Sequence, residues 1–263
     1  MSDDNDKTVP DADTDGTADT AEATTADTSD RSAKPAKEKR PAWVEYTVTI
    51  VVALAILGLV NTFVGRLYQI PSESMEPTLV GCEGCTGDRI VVDKVSYRFS
   101  DPSQGDVVVF AAPEGWEDGW TSGRSDNAVI KAGQDLLSAV GLLAPDEYTL
   151  VKRVIATGGQ TVQCLEGDEG VMVDGEQVDD SYILDPPAYN VDPRSGSEAC
   201  GGPYFGPVTV PDDAVWVMGD NRTNSKDSRY HQDAADGGSV PVDDIVGKAQ
   251  FKVWPLSRIG GIS

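Results

Sequence analysis

The chain has 263 residues and a net charge of −23, from 44 acidic against 21 basic side chains. Phosphate neutralisation needs clustered Lys and Arg, so this balance excludes nucleic acid as a partner and reads as a solvated acidic surface. The length holds a tail, one membrane helix and a folded region of about 190 residues, enough for one core with an appended subdomain.

Residues 1–42 are mostly Asp, Thr, Ala and Ser, with almost nothing large and apolar to bury, and they read as a disordered acidic tail. The tail's end turns basic, where Arg31, Lys34, Lys37, Lys39 and Arg40 face a single acid, Glu38. An uncharged run follows over 46–65, bounded by Glu45 and Arg66. Twenty residues at 1.5 Å each make a helix of roughly 30 Å, the hydrocarbon thickness of a bilayer. A membrane-spanning helix is therefore expected over 43–66. The apolar stretch is too long and too far from the N-terminus for a cleaved signal peptide, and no small-residue cleavage site precedes Arg66. Basic residues before the span place the N-terminus in the cytoplasm and residues 67–263 outside the cell membrane.

Beyond the span the pattern is strand-like. Residues 89–97, 106–110, 148–156, 171–173, 214–218 and 247–254 are short and β-branched, with Gly, Pro and Asp between them. Many short strands without alternating helices predict a mainly β fold, an antiparallel β domain with one N-terminal transmembrane helix. The region 160–210 is expected to form a smaller β extension, with 185–207 an irregular excursion pinned by Cys200. Leu136, Leu137, Val140 and Leu143 recur at helical spacing and predict a short amphipathic helix over 133–143. Residues 111–128 read as a long surface loop.

An oxidising exterior makes disulfides plausible for the four cysteines, and closeness in sequence favours Cys164–Cys200 and Cys82–Cys85. Zinc fits poorly, because there is one Cys-x-x-Cys pair and the sole histidine, His231, is distant from it in sequence. No metal and no cofactor are expected.

Three segments carry candidate chemistry. Ser74 lies between Pro71 and Pro77, which exclude the segment from regular helix. It follows Arg66 by eight residues, at most about 27 Å of extended chain, so a nucleophile there works near the membrane. A serine needs a base. In 150–156 strand alternation puts Leu150, Lys152 and Val154 on one face. An ordinary lysine, with pKa about 10.4, is almost never neutral at pH 7, but burial lowers that value by several units. Arg153 cannot serve, since guanidinium does not deprotonate. The third segment, 219–229, packs Asp, Asn, Ser and Arg behind an apolar strand, where Asp227 pairs well with Arg229 to brace a loop. It lacks the glycine spacing and terminal Glu of an EF-hand. A Ser-His-Asp triad would have to use His231, which lies in a polar loop.

Pro71-Ser-Glu-Ser-Met-Glu-Pro-Thr-Leu79, Gly105-Asp-Val-Val-Val-Phe110, Lys152-Arg-Val-Ile155 and Gly219-Asp-Asn-Arg-Thr-Asn-Ser-Lys-Asp-Ser-Arg229, behind a membrane helix, resemble the bacterial type I signal peptidases over about 44–254. The resemblance implies a Ser–Lys serine endopeptidase that removes signal peptides from exported preproteins through an acyl-enzyme. Ser74 matches the nucleophile and Lys152 the general base. Ser72 and the Ser74 N–H match the oxyanion hole, Ser225 the hydroxyl that hydrogen-bonds the lysine, and Asp227 and Arg229 its supporting pair. It also implies substrates with small residues at −1 and −3, and membrane lipid as a second partner. A self-cleaving Ser–Lys repressor would need a DNA-binding module, and an anchored β domain that only binds a partner would cleave nothing.

Overall fold

A computed structural model describes residues 41–263 except 83, 117, 118, 120, 142, 144, 145 and 235; the tail, up to residue 40, lies outside the described residues. Among those described, the elements run α1 (Ala42–Phe63), β1 (Gly65–Gln69), β2 (Arg89–Asp93), β3 (Val107–Ala111), α2 (Ala128–Ala139), β4 (Thr149–Thr157) and β5 (Thr161–Cys164). They continue as β6 (Met172–Val173), β7 (Glu176–Gln177), β8 (Gly196–Ser197), β9 (Gly202–Pro203), β10 (Phe205–Thr209), β11 (Ala214–Met218), β12 (Val240–Pro241), β13 (Ile245–Trp254) and β14 (Gly260–Gly261).

The fold is mainly antiparallel β. One sheet runs β1-β2-β13-β3-β4-β11-β12, with β14 beside β13; a second runs β10-β5-β6-β7, and β8 pairs β9. The β-branched strands supply the core. Val107, Val109 and Val92 pack with Met75 and Leu79, while Val108, Phe110, Val154 and Val217 pack with Trp116. The second sheet joins the first where Phe205 stacks on Trp216, ring centres 5.8 Å apart. Cys164 and Cys200 are fully buried there and joined as a disulfide, S–S 2.04 Å. Cys82 and Cys85 form the other pair.

Short strands that the sequence reading does not anticipate include β1, β5, β7 and β12, with β8 and β9 inside the 185–207 excursion, and four further departures have local causes. The span expected to 66 ends at Phe63, because Gly65 and Arg66 already pair with Asp93 and Val92 in the β1–β2 ladder. The strand expected over 89–97 stops at Asp93, whose carboxylate accepts from the Val95 N–H at 2.7 Å and turns the chain. The helix expected over 133–143 runs from Ala128 to Ala139, starting where the Asn127 side chain accepts from the N–H groups of Val129 and Ile130 and ending before Val140. Within 111–128, Trp116 is not on the surface: it is buried, edge-on to Phe110 and stacked on His231.

Candidate active site

The Ser74 segment is held between two apolar anchors and a loop. Ile70 and Met75 are buried, so the chain on either side of Ser74 is fixed by core packing. The loop after β11 holds it from the other side: the Asn221 N–H donates to the Ser74 carbonyl at 3.1 Å and Asn221 Nδ2 to the Glu73 carbonyl at 3.1 Å. Behind it, Asp88 accepts from Val80 N–H and pairs with Arg258 at 3.0 Å.

Lys152 comes from the middle of β4, opposite Val108 on β3, and shares the face that buries Val108, Phe110 and Val154. Its side chain is buried, yet Nζ reaches Ser74 Oγ at 2.7 Å. Burial lowers the Lys152 pKa from 10.5 to about 8, against the opposing pull of Asp227. Ser72 Oγ lies 3.3 Å from Ser74 Oγ on the exposed side. Among the described residues, the Ser74 N–H makes no hydrogen bond to a backbone carbonyl. Pro71, Ser72, Glu73, Ser74, Cys82 and Asn224 line a cavity of about 290 Å³ at this point. A wider cleft of about 740 Å³, around Arg153 and Tyr182, shares no lining residue with it.

The two buried acids nearby are each committed to an arginine. Asp227 accepts from Arg229 Nε at 2.8 Å and Nη2 at 2.9 Å, and from the Gly219 N–H at 3.0 Å. Burial pushes the Asp227 carboxyl up, but Arg229, the Gly219 N–H and Lys152 together outweigh it and hold the group below its usual value. Arg229 also donates to the carbonyls of Arg222 and Gly201, which ties the loop to the residue next to Cys200. Asp220 takes both arms of Arg153, at 2.8 and 2.7 Å, and the Arg153 guanidinium lies 3.9 Å over the Tyr182 ring.

Ser74, Lys152 and Ser72 thus meet at one point, and Asp227 with Arg229 braces the loop behind them. Ser225 differs from expectation. Its hydroxyl is buried without a hydrogen bond and lies against Gly219, so the expected contact with the lysine is not made. His231 lies flat on Trp116, ring centres 4.2 Å apart, and the described contacts of Ser74 Oγ are Lys152 and Ser72. The sequence reading does not reach the Asp220–Arg153 pair or the Asn221 clamp. The adjacent Lys152-Arg153 was the available signal, because alternation that buries one cation on its own face sends the next to the other, where it too needs a partner.

Such a site, with a hydroxyl beside a buried amine of depressed pKa and donors in front, is equipped for acyl transfer. The family model described as signal peptidase, peptidase S26, matches residues 43–254. A probable signal peptidase I of Mycobacterium leprae is 49% identical, covering 86% of this chain and 81% of that protein. Signal peptidase I of Mycobacterium tuberculosis is 51% identical over 84% of this chain and 76% of its own. A probable signal peptidase I-2 of Synechocystis is 34% identical over 85% of this chain and 80% of its own. By these matches the chain belongs to the S26 signal peptidases, hydrolases of the serine-peptidase type.

Proposed function

We propose that this chain is a membrane-anchored serine endopeptidase that removes signal peptides from exported preproteins through a Ser74–Lys152 dyad and an acyl-enzyme. The observation that carries the reading is the 2.7 Å approach of a fully buried lysine amine to Ser74 Oγ. Neutral Lys152 takes the Ser74 proton as Oγ attacks the scissile carbonyl carbon. The oxyanion receives the Ser74 N–H and the Ser72 hydroxyl. Collapse breaks the C–N bond, and the Lys152 ammonium returns its proton to the departing amine of the mature protein. Lys152, neutral again, then deprotonates the water that attacks the ester, and the ammonium gives that proton to Ser74 Oγ as it departs, releasing the signal peptide as an acid and restoring both residues. Asp227 and Arg229 hold the loop that frames the amine, and Ser225 fills the space beside Gly219.

α1 is the anchor: 22 residues, of which an 18-residue stretch has a mean hydropathy of 2.1, with no buried position. The basic end of the tail orients it with the N-terminus in the cytoplasm and the catalytic domain outside. Protease added to intact spheroplasts should digest that domain, and protection would overturn the orientation.

The central test is cleavage of a preprotein by the detergent-solubilised enzyme. Ser74→Ala and Lys152→Ala should each lose roughly 10³-fold or more, while His231→Gln keeps most activity. Cleavage by Ser74→Ala, or a folded but dead His231→Gln enzyme, would overturn the dyad.

A further inference from the structure

A surface helix normally turns its apolar stripe toward its own domain. α2 does the reverse. At 100° per residue, Val129, Ile130, Gly133, Leu136, Leu137 and Val140 fall on one side, and Lys131, Gln134, Asp135 and Ser138 on the other. The polar side is the one bound to the protein. Ser138 is buried and accepts from Arg66 Nη2 through both its carbonyl and its hydroxyl, each at 3.1 Å. Gln134 Oε1 accepts from the Ser125 N–H at 3.0 Å, and Asp135 pairs with Arg124 at 3.3 Å. On the apolar side Val129 is 82% exposed, Leu136 67%, Ile130 54% and Leu137 46%. A continuous apolar face of this length, turned away from its own core, calls for a cover.

The position of α2 says what the cover is. Its C-terminal end rests on the last turns of α1, where Asn61 Nδ2 donates to the Val140 carbonyl at 3.0 Å. A Cβ on Gly58 would stand 3.7 Å from both the Ala139 carbonyl oxygen and Val140 Cγ1. Gly58 and Asn61 lie within about 8 Å of the end of α1 along its axis, the depth at which a spanning helix leaves the hydrocarbon. We infer that α2 is an interfacial helix that lays its apolar face into the headgroup boundary of the bilayer that α1 spans. The inference rests on the anchoring proposed above. An amphipathic helix of this kind sits with its apolar face roughly 5–10 Å into that boundary. Arg66, which also donates to the Leu143 carbonyl at 3.0 Å, belongs to β1 and joins α1, α2 and the strand leading to Ser74. Span and interfacial helix together would fix the height and tilt of Ser74 over the membrane, which one flexible tether does not.

The test uses the full chain in phosphatidylcholine–phosphatidylglycerol vesicles. All four native cysteines are paired, so a thiol-reactive nitrobenzoxadiazole label goes to one introduced cysteine. Val129→Cys and Leu136→Cys report the apolar face, Lys131→Cys the opposite face and Val52→Cys the span, and each labelled protein should still cleave a soluble peptide. Doxyl groups on the lipid should quench the labels at 129 and 136 at least roughly threefold more than the label at 131. Quenching at 52 with equal or no quenching at 129, 131 and 136 would sink the interfacial helix and leave the anchor standing. Labels at 129 and 136 shielded only at high protein-to-lipid ratio, without lipid quenching, would assign the face to a second copy of the chain and overturn the inference. An unquenched label at 52 would overturn the anchor and this inference together.

Discussion

For the Ser74–Lys152 dyad proposed above, the pH dependence of acylation follows from the burial of Lys152. Only the neutral amine can take the Ser74 proton, and its pKa is lowered from 10.5 to about 8 because burial disfavours the ammonium. About one amine in eleven is then neutral at pH 7, against about three in ten thousand for an unshifted lysine. Between pH 7 and pH 9 the neutral fraction rises about tenfold, and kcat/KM should rise with it around a midpoint near 8. The same depression sets a stability term of definite sign. The unfolded pKa lies above the folded one, so the contribution is fully present above 10.5 and is lost as pH falls through about 8. At pH 7 the buried ammonium thus costs about 3 kcal/mol, and Lys152→Met should be more stable than wild type by up to about that amount, with the gain fading towards pH 10.5. The assay is single-turnover cleavage of a peptide whose own groups do not titrate between pH 6 and 10, beside urea unfolding at pH 7 and 10. A flat rate profile would refute the reasoning. So would a midpoint near 6.5 that disappears in His231→Gln.

Gly219 stands where a Cβ would come 2.3 Å from Ser225 Oγ and 2.4 Å from the Ser74 carbonyl oxygen. Gly219→Ala should therefore displace the nucleophile and lower kcat/KM at least roughly 100-fold, and near-wild-type kinetics would show that the approach is not constrained. Opening the Cys164–Cys200 bridge by Cys→Ala at both positions removes a cross-link between residues 36 apart. The chain-entropy value is about 3.8 kcal/mol of unfolding free energy, and peptide mapping that finds free thiols there would remove the basis for it. The cavity at Ser74 is small, about 290 Å³, and walled by Pro71, Ser72, Glu73, Cys82 and Asn224. A preprotein series varying only the −1 residue should therefore favour Ala over Phe by roughly 100-fold or more in kcat/KM, and equal rates would assign Ser74 to another kind of peptidase.

What the sequence made legible is what local pattern controls. Alternation over 150–156 put Lys152 among apolar neighbours before any fold was considered, and the short β-branched runs carried the antiparallel class. The parts that were not legible are set by distant partners. β1 is five residues with a glycine and an arginine, and only its ladder with β2 makes it a strand. Arg153 and Asp220 are 67 residues apart, and Arg258 and Asp88 170 apart. Alternation says that Arg153 needs a partner, but local periodicity does not say which acid either arginine takes. The start of α2 was a missed local signal, since Asn127 is a favoured cap residue directly before the first helical turn. Trp116 lies in a patternless stretch, where nothing in the sequence marks a single anchoring side chain.

The distant pairs also explain how a lysine beside two buried acids keeps a low pKa. A free carboxylate next to Lys152 would raise its pKa and lock the amine as an ammonium. Asp220 is instead taken at both oxygens by Arg153, and Asp227 by Arg229 with the Gly219 N–H. Both acids still pull the Lys152 pKa upward, but Arg229 pushes against them and burial prevails. Strand alternation makes this sorting possible. Lys152 and Arg153 are neighbours on β4 yet face opposite sides, so the cation that never deprotonates meets Asp220 and Tyr182 while the one that can deprotonate meets Ser74. Exchanging the order of the two residues would preserve composition and charge and leave a guanidinium facing the serine, with no base.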